Sequence, residues 1–462
     1  MTLPRTLFFD RLFTGESWLE AARVEIGGEG EITALRDGAS AGGSERFRGC
    51  AVPGIPNLHS HAHQRAMAGL AERSGDRQDS FWTWREVMYR HVAAMSPEQL
   101  EAISAQLYVE MLEAGYTAVG EFQYLHHDPR GRPYGRLAEM TLRTLEAARR
   151  VGLGITCLPV LYAHGGFGGE APGEGQKRFL NGAGRFLRLV EELQGATAAD
   201  PSAAVGIAPH SLRAVTAELM EDVLRGFGAA GPIHIHVAEQ RREVEECLAW
   251  SGRRPVEWLL DRFAVDESWC LIHATHMTSE ETRAMAGSGA VAGLCPVTEA
   301  NLGDGFFNAG EFLGAGGRVG IGSDSHISVS PVEELRWLEY GQRLIRGGRN
   351  VLADAARRST GRALLEAALA GGARACGRKI GRIAPGYRAD LVVLDTEHPL
   401  LAERRQDEIL DSWIFSGNAP LVREVIVGGR TVVEDGRHRR RREVARDFRR
   451  TLESLRSRTG QD

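Results

Sequence analysis

The chain has 462 residues, with 56 Lys or Arg against 61 Asp or Glu, and 43% of them are hydrophobic. That is globular composition, sufficient for two or three domains or for one barrel with insertions. A net charge of −5 offers no basic excess for nucleic acid, and no apolar run reaches the roughly 18 residues of a membrane span, so neither partner is expected.

The opening stretch MTLPRTLFFDRLFTGESW is interrupted by charges and has no signal-peptide core, which makes the cytoplasm the expected address. Residues 1–50 read as short strands separated by turns, as in TLFFDRLF and ARVEIGG. Similar hairpin material returns in GYRADLVVLD and EVIVGGRTVVEDG, so the two ends are expected to pair into one small β domain.

Between the ends lie eight short segments rich in β-branched and apolar residues: 51–59, 117–122, 155–161, 204–210, 232–239, 270–276, 290–296 and 318–324. Most are separated by stretches with helical periodicity, such as SPEQLEAISAQLYVEMLEAG with Ser96 as its N-cap and Gly115 at its end. Eight strands alternating with helices is the count of an α/β fold of the (β/α)8 TIM-barrel type. The Gly-rich stretch 165–176 lacks the G-K-[ST] ending of a phosphate loop and is expected to be a mobile active-site loop. The last segment is Arg-rich with Val444, Phe448, Leu452 and Leu455 at helical spacing, the pattern of a docked helix with a solvated basic face. The expected division is 1–50 for the first β part, 51–383 for the barrel, 384–437 for the second β part and 438–462 for the basic helix. The six cysteines form no C-x-x-C pair and read mostly as small buried hydrophobes.

Barrel enzymes place their reactive groups where strands end, and here the polar residues crowd those ends. The first strand finishes His59-Ser60-His61, two imidazoles on one face because strand side chains repeat every two positions. The fifth carries His234 and His236 with Glu239 beyond, the sixth ends at His273 and the eighth at Asp324. Neutral imidazoles with a carboxylate suit zinc, and a catalytic site keeps one position open for water.

With PGIPNLHSH at 53–61, HVAE at 236–239 and GSD at 322–324, the chain resembles the metal-dependent amidohydrolase superfamily. The resemblance implies a barrel with a companion β-sandwich built from both ends. It implies His59, His61, His236 and Asp324 as metal ligands, and Glu239, His273 and Asp324 as catalytic groups. Binuclear relatives hold a second metal with a carboxylated lysine on the fourth strand. This fourth strand ends in Pro209-His210, and the only lysines are Lys177 and Lys379, so one Zn2+ per chain is expected. A homodimer is the assembly usual in the superfamily.

The segments NLHSHAHQRAMAG, WTWRE, EFQYLHH, APHSLRAV and HIHVAEQ resemble the formimidoylglutamate deiminases of histidine degradation, a branch of that superfamily. That likeness implies a small-molecule substrate, N-formimino-L-glutamate, hydrolysed to N-formyl-L-glutamate and ammonia. Gln64, Arg85, Tyr124, His210 and Arg213 would hold it, and its carboxylates would account for the two arginines, since guanidinium forks match carboxylates. His63 stands where the family pattern implies an apolar or aromatic residue and receives no role. Two alternatives stay open. A deaminase or dechlorinase of an aromatic heterocycle such as guanine would not require both arginines. A non-catalytic assembly protein would not require the full ligand set.

Overall fold

The structure is a computed structural model that describes residues 4–73 and 80–459. Strands β1 (Arg5–Phe13) and β2 (Trp18–Ile26) form an antiparallel hairpin, followed by β3 (Ile32–Arg36) and β4 (Glu45–Pro53). Alternate residues such as Leu7, Phe9, Val24 and Ile26 point to a common core, as period-two side chains require.

The barrel strands are β5 (Ile55–Ser60), β6 (Tyr116–Gln123), β7 (Gly154–Leu161), β8 (Ala203–Val205), β9 (Ala208–Pro209), β10 (Ile233–Val237), β11 (Trp269–His273), β12 (Val291–Leu294) and β13 (Arg318–Ile321). Their side chains are buried almost throughout, as expected of parallel strands covered on both faces. Parallel ladders run β5–β6–β7–β8 and β10–β11–β12–β13. Parallel bridges Ile207↔Ile233 and Ser60↔Asp324 join the two sets, the second uniting first strand and last.

The C-terminal strands β14 (Leu391–Leu394), β15 (Val422–Val427), β16 (Arg430–Glu434) and β17 (Arg437–His438) return to the N-terminal ones. Together they make one eight-stranded sheet of order β17-β16-β15-β14-β4-β1-β2-β3. β14 lies antiparallel to β4, with Val52 opposite Val392.

Two of the eight expected strand segments are divided. Residues 51–53 belong to β4 of the eight-stranded sheet, and the barrel begins at Ile55. The switch occurs at Gly54, where a Cβ would stand 2.2 Å from the Thr117 hydroxyl oxygen. The fourth segment is split into β8 and β9 around Gly206, where a Cβ would lie 2.4 Å from the Pro232 carbonyl oxygen.

The helix Pro97–Ala114 has the anticipated ends: Ser96 Oγ accepts the Gln99 N–H, and Gly115 closes it at φ +103°. The C-terminal helix Arg441–Thr459 packs against it, with Val444 and Leu455 buried. Two of its acids, Glu443 and Asp447, both pair with Arg150. Stretch 165–176 packs back on the barrel: Phe167 stacks on Trp250, and Gln176 donates to the Tyr162 hydroxyl at 2.6 Å. All six cysteines are buried and unpaired, and no described helix is long and apolar enough to cross a membrane.

Candidate active site

At the C-terminal ends of the barrel strands, four side chains from three strand ends converge. His59 Nε2 stands 3.0 Å from His236 Nε2 and 3.6 Å from Asp324 Oδ1, and His61 Nε2 lies 3.3 Å from the same Oδ1. Four donors bound at about 2.0–2.1 Å around one tetrahedral ion stand about 3.3 Å apart, close to these three separations; the three imidazoles group within reach of one ion, and Asp324 also groups with His273 and Cys295. The tautomers agree. His61 Nδ1 bonds the Phe122 carbonyl at 2.9 Å and His236 Nδ1 the His210 carbonyl at 3.1 Å. A carbonyl only accepts, so Nδ1 carries the proton and each Nε2 presents a lone pair inward. Burial pushes His59 down to about 3 and lowers His61 and His236 too, which keeps them in the neutral form a metal needs.

His273 flanks this set. Its Nε2 lies 3.8 Å from both Asp324 Oδ2 and Glu239 Oε1, and its Nδ1 is 3.1 Å from Glu299 Oε1. Burial opposes its charge, but Glu239, Glu299 and Asp324 together outweigh that and lift it to about 10. Glu239 is raised as well: burial, against the pull of His273 and Arg213, pushes its carboxyl above the usual carboxylate range, toward the protonated form that a proton donor needs. Ala238 (φ +52°), His273 (φ +66°) and Asp324 (φ +42°) adopt the left-handed region, backbone strain of the kind that gathers at functional sites.

The cavity above is lined by Gln64, Arg85, Tyr124, His210 and Arg213 together with His61, His236, Glu239, His273 and Asp324. Arg85 reaches it from the helix Phe81–Val92. The Arg85 and Arg213 guanidinium carbons lie 4.5 and 5.7 Å from the centre of one ring, the Trp82 indole, which the exposed Arg242 also approaches at 4.4 Å; of the three, Arg85 and Arg213 line the cavity. Gln64 Oε1 and Arg213 Nε are buried with no partner among the described residues, polar capacity open to a ligand. Tyr124 OH is fixed by Gln64 Nε2 at 3.0 Å and His63 Nε2 at 2.8 Å, so His63 forms part of the wall behind the cavity. His126 and His127 bond the carbonyls of Val160 and Leu180. His326 bridges Ser60 and Ser323.

Among the buried acids that no sequence motif marks, three hold residues of the site. Glu121 accepts from Ser60 Oγ at 2.6 Å, from the Ala62 N–H at 2.8 Å and from Tyr108 OH at 3.0 Å, holding a side chain on one side of His61 and the backbone on the other. Burial, against those three bonds, raises it to about 7. Glu299 orients His273 while accepting the Cys295 N–H, and Glu243 accepts the N–H groups of Ala238 and Glu239. The visible signal was a lone acid in an apolar strand for Glu121, and an acid four residues from Glu239 or Cys295 for the other two.

A model of the amidohydrolase family matches residues 50–432. The chain is 54% identical to the formimidoylglutamate deiminase of Pseudomonas aeruginosa, over 97% of this chain and 99% of that protein. It is 30% identical to a 5-methylthioadenosine/S-adenosylhomocysteine deaminase of Natronomonas pharaonis, over 92% and 91% of the two chains. The crystal structure of an amidohydrolase from Brucella melitensis superposes with a TM-score of 0.93 at 51% identity, covering 98% of this chain and 99% of that one.

Proposed function

The chain belongs to the amidohydrolase family, and from that premise we propose that it hydrolyses N-formimino-L-glutamate to N-formyl-L-glutamate and ammonia, a step of histidine degradation. The 54% identical relative supports this over nearly the full length of both chains. The observation that carries it is the pair of guanidiniums, Arg85 and Arg213, that line the cavity together with Glu239. Two cations facing one small cavity call for a substrate with two anionic groups. A flat neutral heterocycle would bring no anionic group to either guanidinium.

His59, His61 and His236, with Asp324 beside His59 and His61, would hold one divalent cation, and the nitrogen-rich, buried donor set favours zinc. Such an ion makes water acidic enough to attack near neutral pH. No lysine reaches the fourth strand: Lys177 pairs with Glu174 at the surface, and Lys379 is exposed. A single ion is therefore the fitting complement.

In this reading Asp324 accepts the proton of the attacking water, and His273, between Asp324 and Glu239, orients it. The water oxygen adds to the formimino carbon. Glu239 delivers a proton to the terminal nitrogen, and as the C–N bond breaks and ammonia departs the added hydroxyl forms the formyl C=O and returns its proton to Glu239. Arg85 and Arg213 hold the carboxylates, while Gln64, Tyr124 and His210 close around the formimino group. The same reading makes this a cytoplasmic enzyme, and a homodimer as the family resemblance implies.

The test is product identity. Purified chain incubated with N-formimino-L-glutamate should release ammonia and N-formyl-L-glutamate in equal amounts. Formamide and glutamate as products, or no turnover, would overturn the assignment.

A further inference from the structure

The helix Arg241–Ser251 follows closely on the fifth barrel strand, and its first turn sends a carboxylate back under the cavity. Glu243 is fully buried. Its Oε1 accepts the N–H of Ala238 at 3.1 Å, and its Oε2 accepts the N–H of Glu239 at 3.2 Å. The same Oε2 stands 4.0 Å from Arg213 Nη2, which is also 4.0 Å from Glu239 Oε2. One buried carboxylate therefore touches the backbone of the proton donor and faces the guanidinium of the substrate-holding arginine.

Both contacts have consequences. Ala238 sits at φ +52°, a conformation that residues other than glycine seldom adopt, and the bond to its N–H is one of the forces that keep it there. Arg213 is buried, and its only carboxylate neighbours among the described residues are Glu239 and Glu243. Without the charge of Glu243, Glu239 would be left as the sole counter-ion. The guanidinium would then be drawn onto the carboxyl that must deliver a proton, and away from the substrate.

The geometry points to Glu243 as a positioning residue that keeps Arg213 and Glu239 apart and correctly placed, so that carboxylate recognition and proton delivery are set by one group. This role presupposes formiminoglutamate as the substrate. A helix-capping acid alone would affect stability and leave the two kinetic constants unlinked to Arg213.

The experiment is a double-mutant cycle on the metal-loaded enzyme, Glu243→Gln with Arg213→Met, reading kcat and KM for formiminoglutamate together with metal content and Tm. In the wild-type background Glu243→Gln should raise KM and lower kcat/KM by roughly tenfold or more, with metal retained. In the Arg213→Met background the same change should cost less than about threefold, since contacting residues show such non-additivity. Equal factors in both backgrounds, or an unchanged KM, would overturn the role. If Glu243→Gln does not fold, Glu243→Asp enters the same cycle, with non-additivity supporting the role and additivity overturning it. A wild-type chain inactive on formiminoglutamate would overturn the substrate assignment and this role with it; an active wild type with additive variants would overturn this role alone.

Discussion

The backbone N–H of Asp324 donates to the carbonyl of His59 across 3.0 Å, and the Asp324 carbonyl accepts the N–H of His61 at 3.2 Å. The barrel thus closes its ring of strands through the residues proposed to bind the metal. Closure brings the first and last strands together, and with them the imidazoles and the carboxylate.

Metal binding should therefore stabilise the barrel as well as activate it. Ligand that binds only the folded state raises stability by about 2.7 kcal/mol at a hundredfold excess over Kd. Chelator treatment should lower Tm by several degrees, and readdition of one equivalent of Zn2+ should restore it. A Tm unaffected by chelation in a chain shown to be metal-free would contradict this.

His236→Ala and Asp324→Ala should each lose metal or activity, whereas Lys177→Ala should keep both, because Lys177 pairs with Glu174 away from the ligands. Metal analysis of active chain should give one ion. Two tightly held ions, both required for turnover, would refute the single-metal site.

Glu239→Gln should bind substrate and turn it over slowly, because the amide cannot pass a proton to the leaving nitrogen. General acid–base groups contribute about 10²–10⁴-fold. Retention of more than about a third of wild-type kcat would remove Glu239 from the proton-donor role.

Glu121→Ala should weaken metal binding without touching a ligand. It releases Ser60 Oγ and the Ala62 N–H, which flank His61. Losing a partner that orients ligands typically costs about 10–100-fold in metal affinity. Competition with a chelator of known affinity reads this directly, and an unchanged affinity would mean that β5 holds His61 without that carboxylate.

The sequence makes the strands and the histidine positions legible because both depend on local period: alternating burial along the second half of β2, apolar runs for the barrel, H-x-H at a strand end. The division at Gly54 was not legible, since Ala51-Val52-Pro53 are equally apolar whether they pair with β14 or with the barrel. The break at Gly206 depends on the Pro232 carbonyl, which is distant in sequence. Glu121 and Glu243 were missed for a related reason. Their value lies in partners such as Ser60 and Arg213, and a single acid on a strand or helix gives no sign of which backbone N–H groups will meet it. The convergence of Arg85 and Arg213 on Trp82 is tertiary too, although each arginine could be named from its segment.

Selection of a dicarboxylate formimino compound by this cavity is read from kcat/KM for ammonia release from N-formimino-L-glutamate, N-formiminoglycine and guanine, with wild-type chain and Arg213→Met. Charge-assisted bonds to a carboxylate are worth about 1.5–3 kcal/mol, so the glycine analogue should lose roughly ten- to a hundredfold or more, and guanine should be inert. Arg213→Met should impose a similar loss on formiminoglutamate, and a far smaller one on whichever truncated substrate lacks the carboxylate that Arg213 binds. Equal penalties for full and truncated substrates, or guanine turned over faster than formiminoglutamate, would contradict the account.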